Sequence, residues 1–212
     1  MTQSASALRH LRAPRALHFP VGALVPETKL HFKLRTALYT ILELAFADRA
    51  RIGSDQFVYW NARDPRRCLA PDVFVRRGEK DCVFDSWKTW ERGTPELAVE
   101  IVNENEDWDD KLERYHELGI AELVAFDPSA PAGERVRAWD RLEEDLVERA
   151  VSNDSTPCVT LGGFWVVAPH DGLDALRLAH DPLGQALLPT PEEAHARRIA
   201  ELEAELARRS GG

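Results

Sequence analysis

Pro95-Glu96-Leu97-Ala98-Val99-Glu100-Ile101-Val102 is the stretch on which the fold turns. Over residues 97–102 (LAVEIV) both alternating faces are apolar apart from one carboxylate, the pattern of a strand lying mid-sheet and covered on both sides. A carboxylate is expensive there, because burying it unpaired costs several kcal/mol. Glu100 must be paired, hydrogen-bonded, protonated or bound to a metal. Upstream, residues 72–75 (DVFV) form a second short β-type run that begins with an acid, and residues 56–60 (QFVYW) a third, with the turn-rich residues 61–67 between them. Downstream, residues 109–118 place Leu112, Tyr115 and Leu118 on one helical face, with acids in the first turn and Gly119 as the stop. Residues 123–126 follow as another buried strand.

The strongest helical periodicity covers residues 29–47, where Leu30, Leu34, Ala37, Leu38, Ile41, Leu44 and Ala45 recur at helical spacing behind Thr28 as an N-cap. Residues 77–95 hold Gly78, Gly93, Pro95, many charges and three large aromatics, and read as an ordered loop or short helix. Residues 136–141 and 146–151 flank an acidic turn as a hairpin, and residues 164–167 add a further strand. Residues 191–209 carry Ile199, Leu202 and Leu206 at helical spacing behind Glu192 and Glu193. This seam spans two heptads at most, and reads as a fraying terminal helix rather than an independent coiled coil. The expected division is a basic arm over residues 1–25, a single α/β domain over 26–188 and a helical tail over 189–212.

The chain has 212 residues and a mass of 23.9 kDa, enough for one ordinary domain with a sizeable core. No run approaches the roughly 20 apolar residues that span a bilayer, and no signal-peptide pattern opens the chain, so a cytoplasmic protein without a membrane partner is expected. Cys68, Cys82 and Cys158 are odd in number and lack a Cys-x-x-Cys pair, which argues against a disulfide framework or a zinc knuckle and for reduced core residues. The formal net charge is −9. That excludes coating of nucleic acid by bulk attraction. The distribution is uneven: residues 1–54 hold eight Lys and Arg against three Asp and Glu, whereas residues 55–118 hold ten against sixteen and residues 119–212 nine against seventeen. The basic share, Arg9, Arg12, Arg15, Lys29, Lys33 and Arg35, reads as a solvated arm and helix face or as a local phosphate-contact patch.

Asp72 and Glu100 share one predicament, an acid set in an apolar strand. If their strands are neighbours, the two carboxylates with a backbone carbonyl and waters make an all-oxygen site suited to Mg²⁺ or Mn²⁺. Phosphodiester hydrolysis needs a nucleophilic water, neutralised charge on the non-bridging oxygens and a stabilised leaving oxygen, all of which a divalent cation supplies and a nearby lysine assists. Two residues beyond Glu100 the strand offers only Val102; the nearest lysine along the chain is Lys111, in the following helix. Each residue also has a plainer reading. Asp72 can be a turn residue, Glu100 a partner of Arg76 or Arg114, Lys111 an exposed helix lysine, Asp107 an N-cap and His31 a helix-face residue. Trp87, Trp90 and Trp108 are core or loop-packing residues, or platforms for bases.

Taken in order, Ala70-Pro71-Asp72-Val73, residues 95–102, Asp107 with Lys111, Tyr115, Gly119 and Asp127-Pro128 resemble the Uma-two family of the PD-(D/E)XK phosphodiesterase superfamily. The resemblance covers roughly residues 24–151. It implies a restriction-endonuclease-like α/β fold with a mixed β-sheet core (αβββαβ), here followed by extra C-terminal strands and a terminal helix. It further implies Asp72 and Glu100 as metal ligands and Lys111 as the catalytic lysine relocated from strand to helix; we expect the Ile101 carbonyl to complete the inner shell of the metal. His31 resembles the family's histidine near the start of the first helix, with Glu27 as an auxiliary acid. The chain departs from the family in having Asn103 and Asn105 where serines are common, and Val124 and Ala125 where aromatics are usual. The expectation is a Mg²⁺-dependent endonuclease acting on DNA as a homodimer. The alternatives are a catalytically silent module of the same fold, or an enzyme of small nucleotide phosphoesters.

Overall fold

The computed structural model describes residues 17–20, 27–78, 80–103 and 107–210; most of the expected arm and Asn105 lie outside them. In chain order, α1 is Lys29–Phe46, β1 Ala50–Gly53, β2 Val58–Tyr59, β3 Cys68–Leu69, β4 Val73–Arg77, β5 Trp87–Lys88 and α2 Thr89–Arg92. There follow β6 Leu97–Ile101, α3 Trp108–Leu118, β7 Glu122–Phe126, β8 Val136–Leu142 and β9 Asp145–Arg149. The chain ends in β10 Thr156–Pro157, β11 Phe164–His170, β12 Leu173–Ala179 and α4 Pro191–Ser210.

Six strands form one mixed sheet in the order β1-β4-β6-β7-β8-β9. The β6/β7 pair is parallel and joined through α3, while its other neighbours pair antiparallel. Reading α1, β1, β4, β6, α3 and β7 along the chain recovers the expected αβββαβ core, with β2, β3, β5 and α2 inserted as a small three-stranded sheet and its adjoining helix. Period-two alternation sorts the side chains of the large sheet. Val73, Val75, Leu97, Val99, Ile101, Val124 and Phe126 pack with Leu34, Leu38, Leu42 and Phe46 of α1 and with Trp165, Ala175, Leu176 and Leu178 of the β11–β12 hairpin. Phe74, Ala98, Leu123 and Ala125 pack on the other face with Tyr115 and Leu118 of α3 and with Val58 and Trp87 of the small sheet. Both faces are covered, which is why the strands carry no polar alternation.

The helix ends follow the sequence. Thr28 Oγ1 accepts the His31 N–H at 3.2 Å, Asp107 Oδ1 accepts the Asp110 N–H at 3.2 Å, and Gly119 closes α3 in the left-handed region. Several expectations are corrected. Residues 50–53 and 173–179 are strands that the sequence reading left unassigned, and residues 164–170 extend the expected short strand. Asp72 stands one residue ahead of its strand rather than in it. Cys158 is buried as expected, but Cys82 is exposed and Cys68 half-buried, so the cysteines are not uniformly core residues. No helix among the described residues is long and apolar enough to cross a membrane.

Candidate active site

The register of the central strands brings the two acids together. Val73 stands opposite Val99 and Phe74 opposite Ala98, so one step further along the antiparallel pair sets Asp72 across from Glu100. Both are inside the protein, Asp72 at 7% and Glu100 at 2% exposure. From α3, one turn apart and therefore on one helical face, come Lys111 and Tyr115. The Lys111 ammonium lies 3.0 Å from Glu100 Oε2, and the Tyr115 hydroxyl donates to Glu100 Oε1. From the first turn of α1 comes His31, buried, with Nε2 2.6 Å from Asp72 Oδ1. Asp72 Oδ2 accepts the Ile101 N–H at 2.7 Å, which ties the entry of β4 to the end of β6.

The structure thus joins Asp72, Glu100, Ile101, Lys111 and His31 in one neighbourhood. Glu27 lies at its margin, 3.8 Å from His31 Nε2, and is itself gripped by Arg35 at 2.8 and 2.9 Å. The arginines considered as partners for Glu100 are engaged elsewhere. Arg76 pairs with Glu96 at 2.5 Å and Arg114 with Asp110 at 2.8 Å. Trp87 is fully buried in the core and offers no platform to a base. Trp90 is partly exposed but packs against Phe19, and Trp108 stacks near Trp139 with the Lys111 ammonium 5.8 Å from its ring.

Burial pushes the Glu100 carboxyl up strongly; the Lys111 ammonium opposes the shift and the neighbouring Asp72 charge reinforces it. His31 is pulled down by burial but pushed up further by its hydrogen bond to Asp72, the Asp72 charge and then Glu27, so its net shift is upward. Each acid has a basic partner, Lys111 on Glu100 and His31 on Asp72. Two opposed carboxylates are oxygen donors of the kind a hard divalent cation takes. Among the described residues no group of three or more His, Cys, Asp or Glu forms a preassembled metal cage.

Tyr115 is the residue whose part the sequence reading missed. It entered as an apolar contact of the helix face and as one residue of the family's motif series, with no role given to its hydroxyl, yet its place one turn after Lys111 was a signal that both reach the same strand end. Glu122 was missed altogether: it is buried at the start of β7 and satisfied by Arg149 at 2.7 Å and by the amides of Val159 and Thr160. That carboxylate is held by a guanidinium and two backbone amides, whereas Glu100 is held by an ammonium and a phenol.

A mixed sheet of αβββαβ order, with two carboxylates opposed where adjacent strands meet and a lysine supplied by the next helix, is a restriction-endonuclease-like fold. The Uma2 family model, described as "Putative restriction endonuclease", matches residues 20–170, and the chain belongs to that family. No curated protein matches the chain. Among solved structures it is similar to one described as a "putative nuclease belonging to DUF820" from Anabaena variabilis, at 12% identity and a TM-score of 0.43, over 65% of this chain and 75% of that one.

Proposed function

We propose that the protein is a metal-dependent endonuclease in which Asp72 and Glu100 hold Mg²⁺ or Mn²⁺, the Ile101 carbonyl adds a third oxygen, and Lys111 assists the attacking water. The observation that carries this reading is the opposition of two buried carboxylates across the β4/β6 register with a lysine on one of them. The bound cation would supply charge neutralisation at the scissile phosphate and a more acidic water. The chain's own residues hold that arrangement in place. His31 and the Ile101 amide orient Asp72 from two sides, and Tyr115 and Lys111 orient Glu100, so neither carboxylate swings freely. Lys111 carries N–H donors able to position water and phosphate oxygen while countering the negative charge of both. DNA is the proposed substrate, the catalytic unit is residues 26–188, with the arm 1–25 and the tail 189–212 outside it, and the cytoplasm is the proposed setting.

Isothermal titration with Mg²⁺ and Mn²⁺ beside a plasmid-cleavage assay tests the reading, on the parent chain and on Asp72→Ala, Glu100→Ala and Lys111→Ala. The carboxylate variants are expected to lose both metal uptake and cleavage, and the lysine variant mainly cleavage. Circular dichroism and urea unfolding separate these losses from misfolding, since removing one partner of a buried pair also costs stability. Metal uptake with no turnover on plasmid, RNA or small phosphodiesters would establish a catalytically silent module instead. Hydrolysis confined to small phosphodiesters would establish a nucleotide enzyme.

A further inference from the structure

The terminal helix α4 is fixed at one end and uncovered along the rest. At its start Thr190 and Glu193 form a reciprocal cap: the Glu193 N–H donates to Thr190 Oγ1 at 3.1 Å and the Thr190 N–H to Glu193 Oε2 at 2.9 Å. Glu193 also takes two hydrogen bonds from the buried Arg177 guanidinium, at 2.8 and 3.2 Å. From His195 to Ser210 every residue is exposed. Helices in proteins draw most of their stability from a packed apolar face, yet this one carries three large aliphatics in open solvent: Ile199 at 57% exposure, Leu202 at 42% and Leu206 at 62%.

These residues belong to a stripe that alternates steps of three and four, Glu192, His195, Ile199, Leu202, Leu206 and Arg209, which is the seam spacing of a two-helix coiled coil. The stripe is self-complementary when reversed. A two-fold axis between positions 200 and 201 sets Ile199 against Leu202 of the second copy, Leu206 against His195, and Arg209 against Glu192. At the flanks the same register sets Arg198 beside Glu205 of the other copy, twice. A parallel pair would instead stack Glu192 on Glu192, His195 on His195 and Arg209 on Arg209, with like charges facing at both ends. We infer that α4 is a dimerisation helix that pairs antiparallel with the α4 of a second copy of this chain, through Ile199, Leu202 and Leu206 and with Arg198–Glu205 pairs at its flanks. Each copy contributes the same patch, so the contact closes on itself and leaves no open end for further addition. The intrahelical pairs Arg198–Glu201 and Arg209–Glu205, at 3.1 and 3.0 Å, are exposed and cost little to exchange for contacts across the interface. Two heptads fall short of the three or four that usually sustain a coiled coil, so the dimer is expected to be weak and reversible. The inference does not depend on the proposed catalytic activity.

Sedimentation velocity of the full chain from about 1 to about 100 µM tests it, together with Leu202→Asp, Arg198→Glu, Glu205→Arg and the double variant Arg198→Glu/Glu205→Arg. The parent is expected to move from monomer to dimer over that range. Leu202→Asp and each single charge reversal should weaken association tenfold or more, and the double reversal should restore it. Recovery in the double variant also shows that the singles failed by repulsion and not by misfolding. Monomer at every concentration overturns the inference, as does a dimer indifferent to Leu202→Asp. Rescue of Arg198→Glu by Glu203→Arg in place of Glu205→Arg overturns the antiparallel register, because Arg198 faces Glu203 of the partner helix only in a parallel pair.

Discussion

Glu100 and Glu122 are both glutamates on neighbouring central strands and both almost wholly buried, yet they are satisfied by different partners. Glu122 has an arginine and two backbone amides, a complete set of donors for a permanent anion. Glu100 has one ammonium, one phenol and an opposing carboxylate, and burial, reinforced by the Asp72 charge, raises its proton affinity against the pull of Lys111 and Tyr115. Tyr115→Phe keeps the packing of α3 and removes only the hydroxyl donor. It is expected to lower stability by about 1–3 kcal/mol, the cost of an acceptor left unsatisfied in the interior. Urea unfolding measures that loss, and metal titration of the same variant should show weaker uptake because Glu100 is less firmly oriented. Unchanged values in both would remove Tyr115 from the site. His31 was legible by its position near the start of a helix, but its contact with Asp72 joins residues far apart along the chain, which only the α1 packing reveals.

Among the elements, helices with caps were the most legible, because the signals that start and stop them are local. α1 and α3 begin at the residues where Thr28 and Asp107 place an acceptor over free amides, and α3 ends at a glycine able to take positive φ. The short strands were not. β1 is four residues with a glycine at its end, and its strand character comes from pairing with β4 rather than from its own composition. Its Gly53 is there for space: a Cβ would stand 2.1 Å from the Phe74 ring. Gly53→Ala is expected to cost roughly 1–3 kcal/mol by overpacking, and Phe74→Leu in the same chain should recover part of it. The denaturant midpoints of the single and double variants check this. The β12 strand was unreadable in the same way, since its buried Arg177 at 1% exposure looks like a surface residue until α4 supplies Glu193. Glu193→Ala is expected to loosen the base of α4 and lower the melting temperature, because it leaves a buried guanidinium with the Leu188 carbonyl as its remaining partner given by the structure. The cysteines sort by element too. Cys82 should react with a thiol reagent at once, while Cys158, whose thiol is pushed up by burial and then by Glu122, should react only on unfolding.

For the molecule as a whole, acid behaviour follows from the carboxyls whose proton affinity folding changes. Asp154 shows the sign. Burial pushes its carboxyl up, but the amides of Gly133 and Arg135 and the Arg135 guanidinium outweigh this, and the net shift is downward. A carboxyl depressed in the folded state stabilises above its unfolded pKa, about 3.9, and that contribution is lost as the pH falls through the folded value. Resistance to thermal unfolding is therefore expected to fall as the pH drops below about 4. Asp154→Asn keeps the left-handed backbone at φ 56 and should be less stable than the parent at neutral pH. The gap should narrow in acid; a constant gap would mean that Asp154 contributes by shape alone.

Local chemistry was enough to announce a covered sheet, capped helices and two acids in costly places, because period, capping and the price of burying charge act over a few neighbouring residues. The joining of those acids was not available at that range. It depends on the β4/β6 register, on α3 turning Lys111 and Tyr115 toward the end of β6, and on α1 carrying His31 to Asp72. Each contact spans between eleven and forty-one positions along the chain and exists only once the two faces of the sheet are packed.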